Sequence, residues 1–230
     1  MKCLKKKYEW TIGIRFLHWI TFIAIAVLTF TGFYIASPFW FVHTPGTKEA
    51  YKIFSMANVR LIHFIAAYVF IFAIILRLYY AFFSRHDADW KYFLFGWLDV
   101  KGWFLTLKNY LTFKPYGVEG LKSDKYNPVQ SLAYFAFILF SILQIITGII
   151  LYTMNDNSIR GVAFVQKLLF PVVQLFGGYP NVRIAHHLIT WFFIVFVIAH
   201  VYMVIAHDIG EKNGSLSSMF TGYKCEEKNE

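Results

Sequence analysis

The stretch from Asn181 to His207, NVRIAHHLITWFFIVFVIAHVYMVIAH, constrains this chain more than any other part of it. Its 27 residues make about 40 Å of α-helix, more than the roughly 30 Å of hydrocarbon in a bilayer, so the stretch is predicted to span a membrane. Within it sit His186 and His200, and no carboxylate in the same stretch can pair with either. An ionisable side chain at such depth is costly and asks for a function. Fourteen positions separate the two histidines, close to four helical turns, so both imidazoles leave one face about 21 Å apart. One helix thereby offers a ligand near each membrane surface. His187 points about 100° away from His186, and the two cannot both face inward.

Three further apolar runs resemble this one in length. With 58% hydrophobic residues, 21% aromatic and only 15% charged, the composition is that of a polytopic membrane protein, and a water-soluble fold is not expected. The spans are placed at about 14–37, 58–83, 128–153 and 181–207. The first follows a lysine-rich start (Lys2, Lys5, Lys6, Lys7). It is too long for a signal-peptide core and lacks a small-residue cleavage site before Pro38, so it is read as uncleaved. Asn58 is the expected N-cap of the second span, and Asn127-Pro128 the cap and first turn of the third. Residues 84–127 mix basic residues with Trp90, Tyr92, Trp97, Trp103 and Tyr110, which suits amphipathic helices in the headgroup layer. The apolar part of 154–180 is short and contains Pro171, so a surface-lying helix is expected there too. Cys3 and Cys225 lack any CxxC, CxxCH or cluster spacing; they give no support for structural zinc, an iron-sulphur centre or covalent haem, and are expected to be free thiols in a reducing compartment.

The net charge of +9 has a topological explanation rather than a nucleic-acid one, since no soluble domain carries a basic patch with interleaved aromatics. The N-terminal segment holds four lysines, residues 84–127 hold seven basic residues and the tail three, fourteen in all. The other two loops hold four (Lys48, Lys52, Arg160, Lys167). The positive-inside rule then places both termini in the cytoplasm and the 84–127 loop with them, with the 154–180 loop periplasmic.

Topology assigns a depth to each intramembrane histidine. His63 and His186 lie near the outer face, His18 and His200 nearer the inner one. Two neutral imidazoles facing each other across a helical bundle are what a haem iron needs from its two sides, so each pair is expected to hold one haem b: His63 with His186 outside, His18 with His200 inside. Arg15-Phe-Leu-His18, Arg60-Leu-Ile-His63 and Arg183-Ile-Ala-His186 all read Arg-x-x-His, with the cation one turn closer to water, where it could pair with haem propionates. The same spacing favours His186 over His187. Thr31-Gly32 in LTFTGF and Thr147-Gly148 in QIITGI recur, and small residues there could let a porphyrin approach the backbone. The third span has no histidine and would complete the bundle without ligating. His207 is a lesser candidate for a quinone or proton site, and His43 and His86 are read as loop residues. The fold class is thus all-α, a single integral-membrane four-helix bundle with haem b in its core.

The strings RFLHW, MANVRLIHFIAAYVF with LRLYYAFF, YNPVQSLAYF with ITGIILY, and VRIAHHLITW with HVYMVIAHDI together resemble the b-type cytochrome subunit of membrane-bound nickel-iron hydrogenases, over nearly the whole chain. The resemblance implies a four-helix anchor with haem b, two expected and at least one, bound to the small iron-sulphur subunit and through it to the large nickel-iron subunit. It implies electron delivery from hydrogen oxidation to a quinone, expected to be menaquinone, in the bacterial cytoplasmic (inner) membrane. The matching ligand positions are His18, His63, His186 and His200. Hydrogen splitting itself would belong to a partner, because the chain has no paired CxxC motifs for nickel and iron. A formate dehydrogenase-like complex could use the same scaffold. A transporter would need an intramembrane carboxylate or broken helices, which the spans lack, and a cofactor-free anchor leaves four buried histidines unexplained.

Overall fold

A computed structural model describes residues 5–38, 50–111, 128–154, 160–211 and 214–226. The helices are α1 (Ile12–Ala36), α2 (Ala50–Phe83), α3 (Trp90–Phe95), α4 (Val100–Leu111), α5 (Pro128–Thr153), α6 (Arg160–Leu175), α7 (Tyr179–Glu211) and α8 (Ser215–Thr221). A 3-10 turn over Gly96–Leu98 links α3 to α4. Two strands, β1 (Lys5–Tyr8) and β2 (Tyr223–Glu226), complete the set. Four helices contain stretches long and apolar enough to cross a membrane: Ile12–Ala36, Met56–Phe83, Pro128–Thr153 and Tyr179–Ile205. The protein is an α-helical, multi-pass membrane protein.

The chain divides into two compact units, Trp10–Ala88 and Met1–Glu9 with Asp89–Glu230. The first is a hairpin of α1 and α2. Buried residues recur on α1 at Ile14, Leu17, Ala24, Ile25, Thr31 and Tyr34, and on α2 at Ala66, Phe70, Ala73, Ile74 and Ala81. These are the three-to-four spacings of a helix seam. Alanines on α2 let the backbones close up, as small residues do where lipid gives no hydrophobic drive to association. Gly13 faces Tyr80 while Gly32 faces His63, so the helices run antiparallel. The cytoplasm-assigned end is latched: the Thr11 hydroxyl caps α1 and donates to Asp87 Oδ2 at 2.8 Å, and Asp87 is only 6% exposed.

The second unit is built on α5 and α7, also antiparallel, since Phe137 meets Phe196 whereas Thr147 meets His186. Their seam is aromatic, with Phe140 on Phe192 at 4.2 Å and Phe137 on Phe193 at 5.6 Å between centroids. α6 enters α7 through a tight glycine turn. The N–H of Gly178 donates to the Val173 carbonyl and that of Gly177 to Gln174, each at 2.9 Å, with both glycines at positive φ (112° and 77°) that a Cβ would oppose. That turn sets Val173 and Val182 on Ile150 of α5. α3 and the 3-10 turn pack on the start of α5, where the Ser131 hydroxyl donates to the Tyr92 carbonyl and Trp97 lies on Phe135.

Several features depart from the sequence reading. α2 begins at Ala50, which leaves Asn58 about two turns inside the helix rather than at its cap. α6 continues through Pro171, giving up the one bond that an N–H there would make to the Lys167 carbonyl. β1 and β2 pair antiparallel, Lys6 opposite Cys225, joining the two ends of the chain in a ladder that no local pattern announces. Cys225 is disulfide-bonded rather than a free thiol; Cys3, Asn127 and His43 lie outside the described residues.

Replacing Thr11 by valine removes both the cap and a donor to a buried carboxylate. A loss of about 1–3 kcal/mol is expected, read as a lower thermal midpoint of the detergent-solubilised chain, with Thr11→Ser retaining the native value.

Candidate functional site

His63 lies on the same stripe of α2 as Ala66, Phe70 and Ala73, so the packing that closes the hairpin carries its imidazole to α1. There it meets Thr31, 6% exposed, whose Oγ1 stands 2.8 Å from His63 Nδ1. The same hydroxyl donates to the Val27 carbonyl at 2.7 Å, the usual back-bond of a threonine inside a helix. A hydroxyl has one proton, and the carbonyl can only accept. Nδ1 of His63 therefore carries its own proton and donates it, which leaves the Nε2 lone pair for another partner.

α7 repeats the construction. His186 shares the stripe of Val182, Ile189 and Phe193, all buried, and its Nδ1 lies 2.9 Å from Oγ1 of Thr147, which has no exposed surface. Thr147 donates to the Leu143 carbonyl at 2.8 Å, so the same deduction gives His186 as the Nδ1–H tautomer. The Gln144 amide Nε2 lies 3.2 Å from His186 Nε2, and in this orientation it donates to the lone pair that the Nδ1–H tautomer leaves there. Gln144 also donates to Thr190 Oγ1 at 3.2 Å, while its own Oε1 is buried with no hydrogen-bond partner among the described residues. Gln144 was not singled out from the sequence; an amide in the middle of an apolar span was the available signal.

Each threonine is followed by a glycine, and the structure gives that pairing a specific use. A Cβ built on Gly32 would stand 3.5 Å from His63 Cε1, and one on Gly148 would stand 3.3 Å from His186 Cε1. The room made by these glycines admits the imidazole ring.

His18 is half-buried and meets Trp19 edge-to-face at 5.2 Å. His200 is half-buried and stacked on Phe196, with centroids 5.9 Å apart and planes within 4°. Arg15 is half-buried, whereas Arg60 and Arg183 are exposed near the starts of their apolar stretches. His187 is half-buried and His86 is exposed in the turn after α2; His207 lies in α7 with its side chain outside the described residues. His18 and His63 belong to the first helical unit, His186 and His200 to the second. Among the described residues no group of three or more His, Cys, Asp or Glu could hold a bare metal ion.

Taken separately, each hairpin presents one imidazole whose Nδ1 meets a threonine hydroxyl and whose other ring nitrogen is Nε2, which in His186 also meets the Gln144 amide at 3.2 Å. An imidazole nitrogen is the donor a haem iron takes from a protein, since the macrocycle supplies the remaining nitrogens and one or two axial ligands suffice. The buried, partnerless Gln144 Oε1 beside His186 Nε2 is a further polar group left for an occupant.

Comparison with known proteins gives a consistent set. The prokaryotic cytochrome b561 family matches residues 9–222. A probable Ni/Fe-hydrogenase B-type cytochrome subunit of Cupriavidus necator is 32% identical, the alignment covering 97% of this chain and 88% of the relative. The counterpart named for Ni/Fe-hydrogenase 1 of Escherichia coli K12 is 30% identical over 94% of this chain and 90% of its own length. The Azotobacter vinelandii protein is 30% identical over 94% and 88%.

The glycine contacts generate an ordered prediction. Gly32→Ala adds only an ordinary van der Waals contact and keeps the b-type absorption of the purified chain. Gly148→Ala pushes His186 back and lowers it, and leucine at either position, with an overpacking cost of about 1–3 kcal/mol, abolishes it.

Proposed function

The chain belongs to the prokaryotic cytochrome b561 family, and on that premise we propose that it holds haem b and carries electrons from the iron-sulphur subunit of a periplasm-facing nickel-iron hydrogenase to membrane quinone. The observation that carries this reading is the twice-built histidine: two half-buried imidazoles, one per hairpin, each held at Nδ1 by a buried threonine. The names of the similar proteins support the partner, each being a B-type cytochrome subunit of a Ni/Fe hydrogenase.

His63 and His186 are the proposed ligands of a haem toward the outer face, and His18 and His200 of a second toward the inner face. Haem held in this way supplies a reversible one-electron iron couple. The chain's residues do the rest. The threonines keep each Nδ1 protonated and each Nε2 in its lone-pair form, and at His186 iron would take the place of the Gln144 amide. Apolar neighbours such as Phe70, Ile189 and Phe193 keep water from the ligand nitrogens. Arg15, Arg60 and Arg183, each one helical turn from a histidine, are proposed to pair with propionates.

The lysine and arginine distribution supports a bacterial inner-membrane orientation with both termini and the 84–127 loop cytoplasmic. In that orientation the hydrogenase small subunit docks outside and quinone is reduced near the inner end of the spans. α4 and α6 are proposed to lie in the headgroup layers; α6 exposes Phe164, Leu168 and Leu175 along one face, which suits that position.

In hydrogen-fed membranes, His63→Ala and His186→Ala are expected to remove b-type absorption and to stop quinone reduction while an artificial dye is still reduced. Wild-type chain without b-type absorption would overturn the reading, and loss with His187→Ala but not His186→Ala would overturn the ligand assignment. The proteins that co-purify with the chain test the partner: hydrogenase subunits are expected, and a formate dehydrogenase in their place would reassign the complex.

A further inference from the structure

The two hairpins are more alike than the histidines alone require. Both second helices contain Asn-Val-Arg-x-x-His, at Asn58–His63 and at Asn181–His186. Both first helices contain Thr-Gly, and in both the threonine is buried, donates to the carbonyl four residues back, and lies within 2.9 Å of Nδ1. Packing does not demand this. Valine has nearly the shape of threonine and is common in such seams, whereas a hydroxyl placed twice at the one nitrogen that cannot bind iron serves the other nitrogen. Building on the ligand reading above, we propose that Thr31 and Thr147 are matched positioning residues that fix His63 and His186 in the Nδ1–H tautomer and, through that hydrogen bond, set the reduction potential of the iron they bind.

The chemistry runs in one direction. An N–H that donates to an acceptor leaves more electron density on the ring, which makes Nε2 the better donor and favours ferric over ferrous iron. The acceptor here is a hydroxyl already polarised by its own bond to a carbonyl, so it accepts more strongly than an isolated alcohol. Removing the hydroxyl leaves a buried Nδ1–H without its partner, frees the ring to rotate, and shifts the couple toward ferrous iron.

The test is a redox titration of b-type absorption in the purified full-length chain, comparing Thr31→Val, Thr147→Val and the corresponding serine variants with wild type. At fixed ambient potential each valine variant is expected to raise the ferrous-to-ferric ratio on the order of tenfold, which for a one-electron couple is about 59 mV upward. Each serine variant, which keeps the hydroxyl, is expected to titrate as wild type. Loss of haem from a valine variant with retention in its serine counterpart supports the proposal equally, because only the hydroxyl separates them. A valine variant that titrates as wild type would overturn it, and so would serine and valine variants that are altered alike. A wild-type chain that binds no haem would instead remove the underlying ligand reading, so the two failures are distinguishable.

Discussion

A histidine inside an apolar helix is tolerated only when both ring nitrogens have something to do. A buried N–H left without an acceptor costs about 1–3 kcal/mol, and a lipid-facing helix has no water to offer in its place. In this protein the debt on Nδ1 of His63 and His186 is met by a threonine on the facing helix. Those hydroxyls are themselves satisfied by back-bonds within their own helices. Much else follows from that contact. Each threonine has to sit in the helix seam at the depth of its histidine. The next residue is glycine in both, and at Gly148 a Cβ would stand only 3.3 Å from the ring. Each helix has to bury one continuous stripe on which the histidine falls in register, as Val182, His186, Ile189 and Phe193 do.

Each hairpin positions its proposed ligand with its own residues. The glycine, threonine and histidine that make one site all lie within Trp10–Ala88, and those that make the other all lie in the unit containing α5 and α7. This is a form of preorganisation. The donor atom is oriented and in the correct protonation state before any cofactor arrives, which is the condition for repeated electron transfer with little rearrangement of the protein. The halves differ at one position of note: Gln144 reaches His186 Nε2 from three residues before Thr147, whereas Leu28 stands three residues before Thr31.

The membrane class, the four long apolar stretches and the histidine and arginine pattern were legible in the sequence because they rest on length, hydropathy and period, which local chemistry dictates. The recurrence of Thr-Gly was legible as well, but its use was not, since a sequence does not say which helix will face it. Gln144 was passed over for the same reason. The β1–β2 ladder escaped because KKKY and YKCE carry no strand alternation and sit at opposite ends of the chain; their pairing also upset the expectation for Cys225. The start of α2 at Ala50 was missed because Lys52 reads as a loop cation and Asn58 offers an N-cap closer to the apolar run.

Half-buried imidazoles held through Nδ1 are proposed to grip iron from two sides. Electron paramagnetic resonance of the oxidised, full-length chain at low temperature reads the axial ligation directly. The account predicts a ferric signal that is wholly low-spin and of the form given by two imidazole ligands. A dominant high-spin signal, or one showing a single nitrogen ligand, would contradict it.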